Sequence, residues 1–352
     1  MLNSWEPIDR VLLPFSAVFG AVVGSFLNAA VYRLPRNISL VTEKRSFCPR
    51  CKAQIAWYDN FPILSYLFLL GRCRKCRARI APRYLIVELL AAGLFAAIYW
   101  YVRILNGPER NGGRALLGWE HLAVYLALAL GLILAAFCDL EDYEETEEEQ
   151  REAAERAAEL RNSGKDLEAE EGPAVYGIIP DEVTVTGLVL ALPLAAALPG
   201  IHWNMLHLTP WDRLSAVLDA ALGAAAGGGL IWGMGVFGKV VFKKAAMGWG
   251  DVKLLAMVGA ILGWKAALMV FFIAPVFGAV FGIAMMAVHG GRYVRYGPFL
   301  AAAAVLVIFF EPLLSAYYAM AFGGRPVLEL DHRVPLVNPG FEDSPWPRCR
   351  SP

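Results

Sequence analysis

Apolar residues in this chain gather into blocks of about 18–23, the length a helix rising 1.5 Å per residue needs to cross a hydrocarbon core of roughly 30 Å. Eight such candidate spans can be drawn, at 11–32, 84–102, 117–138, 183–198, 214–237, 252–264, 265–288 and 298–322, the sixth being short. Of the 352 residues, 57% are hydrophobic, against about 45–50% in soluble domains, and lipid is where that excess belongs. The first block exceeds an ordinary signal core and has only Arg10 as a basic residue close before it, so a retained helix is expected. The expected fold is all-α: a polytopic membrane helix bundle of about eight spans carrying a small cytoplasmic zinc-ribbon-like loop.

The formal net charge of zero hides a basic run from Arg33 to Arg83 and an acidic one from Asp139 to Asp181. Basic residues mark cytoplasmic loops, so the segment between the first two spans is expected inside and the amino terminus outside. Threading eight spans from that start brings Lys239, Lys243, Lys244, Arg292 and Arg295 to the same side, at the cost of leaving Arg103, Arg110 and Arg114 outside. The expected divisions are a first helix at 1–33, a four-cysteine zinc-binding loop at 34–83, a helical membrane domain at 84–322 with an acidic cytoplasmic insert at 141–178, and a polar, poorly ordered tail at 323–352. The insert has Glu and Arg at helical spacing and reads as a solvated helix or an acidic coil, with cation binding or regulation as the minority alternative.

Four of the six cysteines form two pairs, Cys48-Pro-Arg-Cys51 and Cys73-Arg-Lys-Cys76. Two such knuckles supply four thiolates, the closed coordination of a structural zinc. Free thiols or disulfides are the competing readings; a cytoplasmic loop disfavours disulfides, so zinc is expected on Cys48, Cys51, Cys73 and Cys76. With sulfur in all four positions the metal has no open site for chemistry, and its role is to shape a loop too short to bury much apolar core. The surrounding basic residues point to anionic membrane lipid, and no nucleic acid partner is expected. His202 and His207 lie in an outer loop, and the five histidines are too scattered for a metal cluster.

An ionisable residue at the edge of an apolar span is costly and reads as functional. Asp139 ends the third span and Asp251 opens the sixth, both at the cytoplasmic face when eight spans are threaded from an outside amino terminus. Two carboxyl groups held close cannot both ionise cheaply, so one keeps its proton while the other polarises a water, which is how aspartic proteases attack a peptide carbonyl. Gly248 and Gly250 bracket Asp251 and are expected to let the backbone leave helical geometry and an extended substrate approach. The competing reading makes Asp251 an ordinary helix N-cap.

At these residues the chain resembles the prepilin peptidases, or type IV leader peptidases. Gly24-Ser25-Phe26-Leu27-Asn28 with Tyr32-Arg33-Leu34-Pro35 is similar to the amino-terminal signature of that family, and the paired Cys-x-x-Cys loop follows in order. Tyr84-Leu85-Ile86-Val87-Glu88-Leu89-Leu90 resembles its next block with Leu85 where a proline is usual, and Gly248 to Leu255, with Lys253, and Tyr296 to Leu300 resemble its last two. Two departures stand out. The acidic insert separates Asp139 from Ile179-Pro180-Asp181, and Glu141-Asp142-Tyr143 replaces the family's usual acidic-His pair. They leave open whether Asp142 or Asp181 shares the role of Asp139; an N-cap is the preferred reading of Asp181. Pairing across the bundle is preferred to direct catalysis for Asn28, Arg33 and Glu88.

The resemblance implies an aspartyl endopeptidase with Asp139 and Asp251 as its catalytic pair, cleaving the leader after a Gly from type IV prepilins and from the pseudopilins of type II secretion, at the bacterial inner membrane. It also implies S-adenosylmethionine-dependent N-methylation of the new amino terminus, an activity associated with the zinc loop. The rival readings are a membrane transporter using intramembrane carboxylates, whose mark of inverted repeats is not evident, and a membrane-anchored zinc-ribbon binding module. The assembly state is left open.

Overall fold

The computed structural model describes residues 7–36, 38, 40, 47–48, 50–106, 118–141, 179–198, 213–242, 247–289 and 295–322, without the side chains of Trp57 and 311–322. Expectations for Asp142 and the rest of the acidic insert, for His202 and His207, and for the tail from 323 fall outside those residues. The regular structure of the described residues is all helical, apart from two isolated antiparallel bridges, Phe47 with Gln54 and Arg72 with Arg79, in the cysteine loop.

The helices are α1 (Asp9–Arg33), a short α2 (Leu64–Phe68), α3 (Arg83–Tyr99, continued by a π-helical stretch Trp100–Leu105), α4 (Trp119–Leu140), α5 (Asp181–Ala197), α6 (Arg213–Phe242), α7 (Trp249–Leu262), α8 (Trp264–His289) and α9 (Gly297–Phe322). All but α2 overlie the eight apolar blocks. Five of them, α1, α3 with its extension, α4, α6 and α8, are long and apolar enough to cross a membrane by length and composition; Gly297–Phe310 is a shorter apolar stretch. Met1–Phe309 forms one compact unit and Phe310–Pro352 a second, whose described part is the end of α9. The helix packing and the candidate sites all belong to the first unit.

In lipid there is little hydrophobic drive to bring helices together, so close backbone approach through small residues does that work. Gly20 and Gly24 of α1 face α3: a methyl group at Gly20 would lie 2.6 Å from the Ala91 carbonyl oxygen, and one at Gly24 2.9 Å from Glu88 Cα. Helix α4 packs onto this pair through a buried cluster of Leu27, Val87, Ala91 and Ile133. Gly223 and Gly227 of α6 repeat the device against α7, where methyl groups would overlap the carbonyls of Gly259 and Leu255.

Helix α7, the block expected as a sixth span, has 14 residues, about 21 Å and shorter than a hydrocarbon core. It packs against α5, α6 and α8, and Leu254 to Leu262 are all buried, as suits a helix apolar on every side. Gly263, at φ 91°, reverses the chain directly into α8, a conformation that only glycine adopts freely.

Candidate active site

Asp139 lies in the last turn of α4 and Asp251 in the first turn of α7; each is less than a tenth exposed. They stand within electrostatic reach of one another. The Asp139 carboxylate accepts the backbone N–H of Gly297 at the start of α9. The N-cap of α7 is Gly248, not Asp251: Asp251 is the third helical residue and its carboxylate accepts the Gly248 N–H, half of a capping box. Gly250 stays in helical geometry, contrary to the expectation of a broken backbone; its missing side chain makes room for Ile179, whose Cβ would lie 3.0 Å from a methyl group there.

Ile179 is buried between the two carboxylates' supports, touching Gly250 on one side and Gly297 on the other. A methyl group at Gly297 would lie 2.7 Å from Asp139 Oδ2 and 3.2 Å from Ile179 Cδ1. Gly297→Ala is therefore expected to displace the Asp139 carboxylate and to slow any reaction in which that group takes part by about 10–100-fold, the scale of a misplaced reacting group, while circular dichroism reads unchanged helicity.

Beside Asp251 the Tyr296 hydroxyl is buried without a hydrogen-bond partner among the described residues. Burial, and then the charge of Asp251, push this phenol up to about 12, so it remains a proton donor at neutral pH. Arg295 closes the other side, donating to the main-chain oxygens of Asp139 and Glu141, where a cation also suits the carbonyl end of α4. The Glu141 carboxylate gathers Arg36 from beyond α1, at 3.3 Å, and Arg83 from the start of α3. This clamp ties three helix ends around Asp139. In the sequence Glu141 shows only as the start of an acidic run, and Ile179 and Tyr296 only as parts of matching blocks.

Asp181 is not the N-cap of α5, a place taken by Pro180 without a side-chain bond. It pairs instead with Lys253 of α7, Nζ lying 2.6 and 2.8 Å from its carboxylate oxygens, in an exposed ion pair at the rim.

Cys48, Cys51, Cys73 and Cys76 bring all four sulfurs within 4.8 Å of one another, with Cys48 and Cys76 at 3.9 Å, close to the roughly 3.8 Å edge of a tetrahedron with 2.3 Å metal–sulfur bonds. The two knuckles share one backbone design: the residue after each second cysteine, Lys52 or Arg77, has φ near 55° and donates its N–H to the carbonyl of the first, at 2.8 and 2.9 Å. Backbone N–H groups of Cys76 and Lys75 draw the Cys73 thiol down to about 7, favouring the metal-binding thiolate. The Ala78 N–H acts likewise on Cys76, but burial and the neighbouring sulfurs outweigh it and push that thiol up to about 11; a cation at the centre would relieve the crowding of charge. The residues fit a closed, structural zinc.

A cavity of about 1050 Å³ opens between this loop and the ends of α1 and α3, lined among others by Asn28, Arg33, Tyr58, Tyr66, Tyr84 and Glu88. Asn28 donates to the Tyr84 carbonyl at 2.9 Å, the cross-bundle pairing expected of it. Glu88 accepts the Ile63 N–H of the loop at 2.7 Å and a bond from Ser25. Both belong to this cavity, apart from the aspartate pair.

The profile described as "Bacterial Peptidase A24 N-terminal domain" matches residues 18–102, and that of the "Type IV leader peptidase family" matches 174–283. A "Prepilin leader peptidase/N-methyltransferase" of Myxococcus xanthus is 34% identical over 285 residues, 81% of this chain and 65% of that protein. Proteins of the same name from Burkholderia pseudomallei and Aeromonas salmonicida are 32% and 29% identical, over 85% and 87% of this chain and 85% and 94% of theirs. No solved structure matches significantly.

Proposed function

The chain belongs to the type IV leader peptidase family, and from that premise we propose that it is an aspartyl endopeptidase of the inner membrane that removes the leader from type IV prepilins and pseudopilins and then methylates the new amino terminus. The observation that carries the reading is that Asp139, in the last turn of α4, and Asp251, in the first turn of α7, are both buried and within electrostatic reach of each other. In that site one carboxyl group acts as acid and the other as base: water adds to the scissile carbonyl carbon, the C–N bond breaks, and the leaving nitrogen takes the proton. Gly297, Gly248 and Gly250 hold the two groups in register. Tyr296 is the donor available to the carbonyl oxygen as it gains charge.

For the second activity we assign the four-cysteine centre to structural zinc and the adjoining cavity to S-adenosylmethionine, which supplies the methyl group. The buried Glu88 carboxylate and the tyrosine rings suit the sulfonium cation, the Arg and Lys side chains of the same lining suit the donor's carboxylate, and the cavity depends on the metal-held loop for one wall. The methyl-transfer cavity on this reading draws on the ends of α1 and α3 as well as on the 34–83 loop and lies apart from the aspartate pair, and a transporter or a simple zinc-ribbon tether is not favoured.

The test uses the purified protein in vesicles with a peptide carrying a basic leader, a Gly and an apolar helix. One cut after the Gly, followed by a gain of about 14 Da on the new amino terminus when methyl donor is present, is expected from the proposed chemistry; an intact peptide overturns the reading. Asp181→Asn is expected to change that cleavage by less than about fivefold, because an exposed ion pair contributes only about 0–1 kcal/mol. A larger loss in initial rates would put Asp181 among the reacting groups.

A further inference from the structure

We infer that the turn formed by residues 61–70, with α2 at its centre, is a wedge inserted among the lipid acyl chains of the cytoplasmic leaflet beside α3. The inference rests on the membrane-spanning character of α1 and α3 and not on the peptidase reading. Leu64, Leu67, Phe68 and Leu70 are all more than half exposed, Phe68 and Leu70 by 82% and 84%. Leu64, Leu67 and Phe68 stand at i, i+3 and i+4, so they share one helical face, and that face is turned away from the protein. A loop in water would select the opposite orientation.

Depth comes from one hydrogen bond. The Ile63 N–H at the head of α2 reaches the carboxylate of Glu88, and Glu88 lies five residues into α3 from Arg83, about 7.5 Å along the axis. Arg83, paired with Glu141, marks the ionic layer at the helix ends. Helix α2 therefore starts within a glutamate side chain's reach of the second turn of α3, at most about 7.5 Å inward of Arg83, a depth suited to the headgroup–acyl boundary. Ile86, Leu89 and Leu90, flanking Glu88 on α3, are themselves nearly half exposed, so the helix that anchors α2 also presents apolar side chains at this level.

Two further observations agree. Ile63 holds φ at 63°, an outlier for a β-branched residue, at the point where the chain dips to meet Glu88. Directly after the wedge come Arg72, Lys75, Arg77 and Arg79, exposed cations at the open cavity mouth that suit anionic headgroups, while Arg74 is held by Asp59. The partner is thus an anionic phospholipid leaflet, with acyl chains against the leucines and Phe68.

The test is fluorescence of Phe68→Trp and, separately, Leu70→Trp in the full chain, reconstituted in vesicles of mixed phosphatidylglycerol and phosphatidylcholine, after subtraction of the unsubstituted protein. The added emission is expected to fall at least about twofold with lipids brominated near the top of their acyl chains, and less with bromine near the methyl ends, as the boundary depth requires. Arg79→Trp, on the water side, is expected to respond to aqueous iodide instead. If the tryptophans at 68 and 70 follow iodide as the one at 79 does, the wedge does not exist. If they ignore brominated lipid but shift on addition of an apolar-helix peptide, the surface docks protein and the proposal is equally overturned.

Discussion

Changing either Asp139 or Asp251 to Asn is expected to lower peptide cleavage by at least about a thousandfold, the scale seen when one member of a catalytic unit is removed. Asn keeps the volume and can still accept the N–H that Gly297 or Gly248 donates, so the packing of α4 and α7 should survive. What it removes is a group able to take and return a proton. Because the two acids work on a single water, the double substitution should cost no more than either single one; additive losses would mean separate roles. Mass spectrometry of the peptide products gives the rates, and cleavage remaining within about tenfold in either variant would end the assignment. Zinc content and methyl-donor binding should be untouched, since the cysteine loop and its cavity involve neither aspartate.

Cys48→Ser with Cys51→Ser is expected to empty the metal centre and unfold the loop, while proteolysis continues. From residue 47 to 82 the described chain buries only one apolar side chain, Cys48 itself, so there is no core to hold the loop without a cation. Structural zinc in comparable small sites supplies about 10–16 kcal/mol, far more than the remaining hydrogen bonds and the exposed Arg74–Asp59 pair can replace. Elemental analysis should fall from about one zinc per chain to none. Trypsin should then cut among Arg72, Arg74, Lys75, Arg77 and Arg79 much faster than in the parent, and the methyl donor should no longer bind because one wall of its cavity is gone. A loop that stays protease-resistant without metal would show that packing, not coordination, shapes it.

Much of the site can be read from local pattern. The cysteine spacing names its own chemistry, because a knuckle is closed by residues three apart in sequence. Asp139 and Asp251 are conspicuous because charge at the edge of an apolar helix is expensive wherever it occurs. The supports are less visible. Glu141 looks like the first residue of a solvated acidic run, and nothing nearby in sequence says that Arg36 and Arg83 converge on it from two other helices. The glycines beside Asp251 suggest a broken backbone, whereas Gly250 is helical and its bareness serves Ile179, a residue beyond the insert. Asp181 suggests a cap because it opens a helix, yet its partner is Lys253 on another.

The chain's own order of residues determined its solvent and marked two candidate centres: runs of apolar side chains are satisfied in lipid as helices, four thiols in two knuckles suit a metal, and acids at membrane edges must be used or paired. Which acid meets which was decided by the packed bundle. That outcome depends on how closely helices approach and on the register at which they cross, and these are set by the bare surfaces of Gly20, Gly24, Gly223 and Gly227 against partners far away in the chain. Short-range pattern carries composition and spacing, but a contact between distant helices is a property of both surfaces at once, and it exists only when they are folded together.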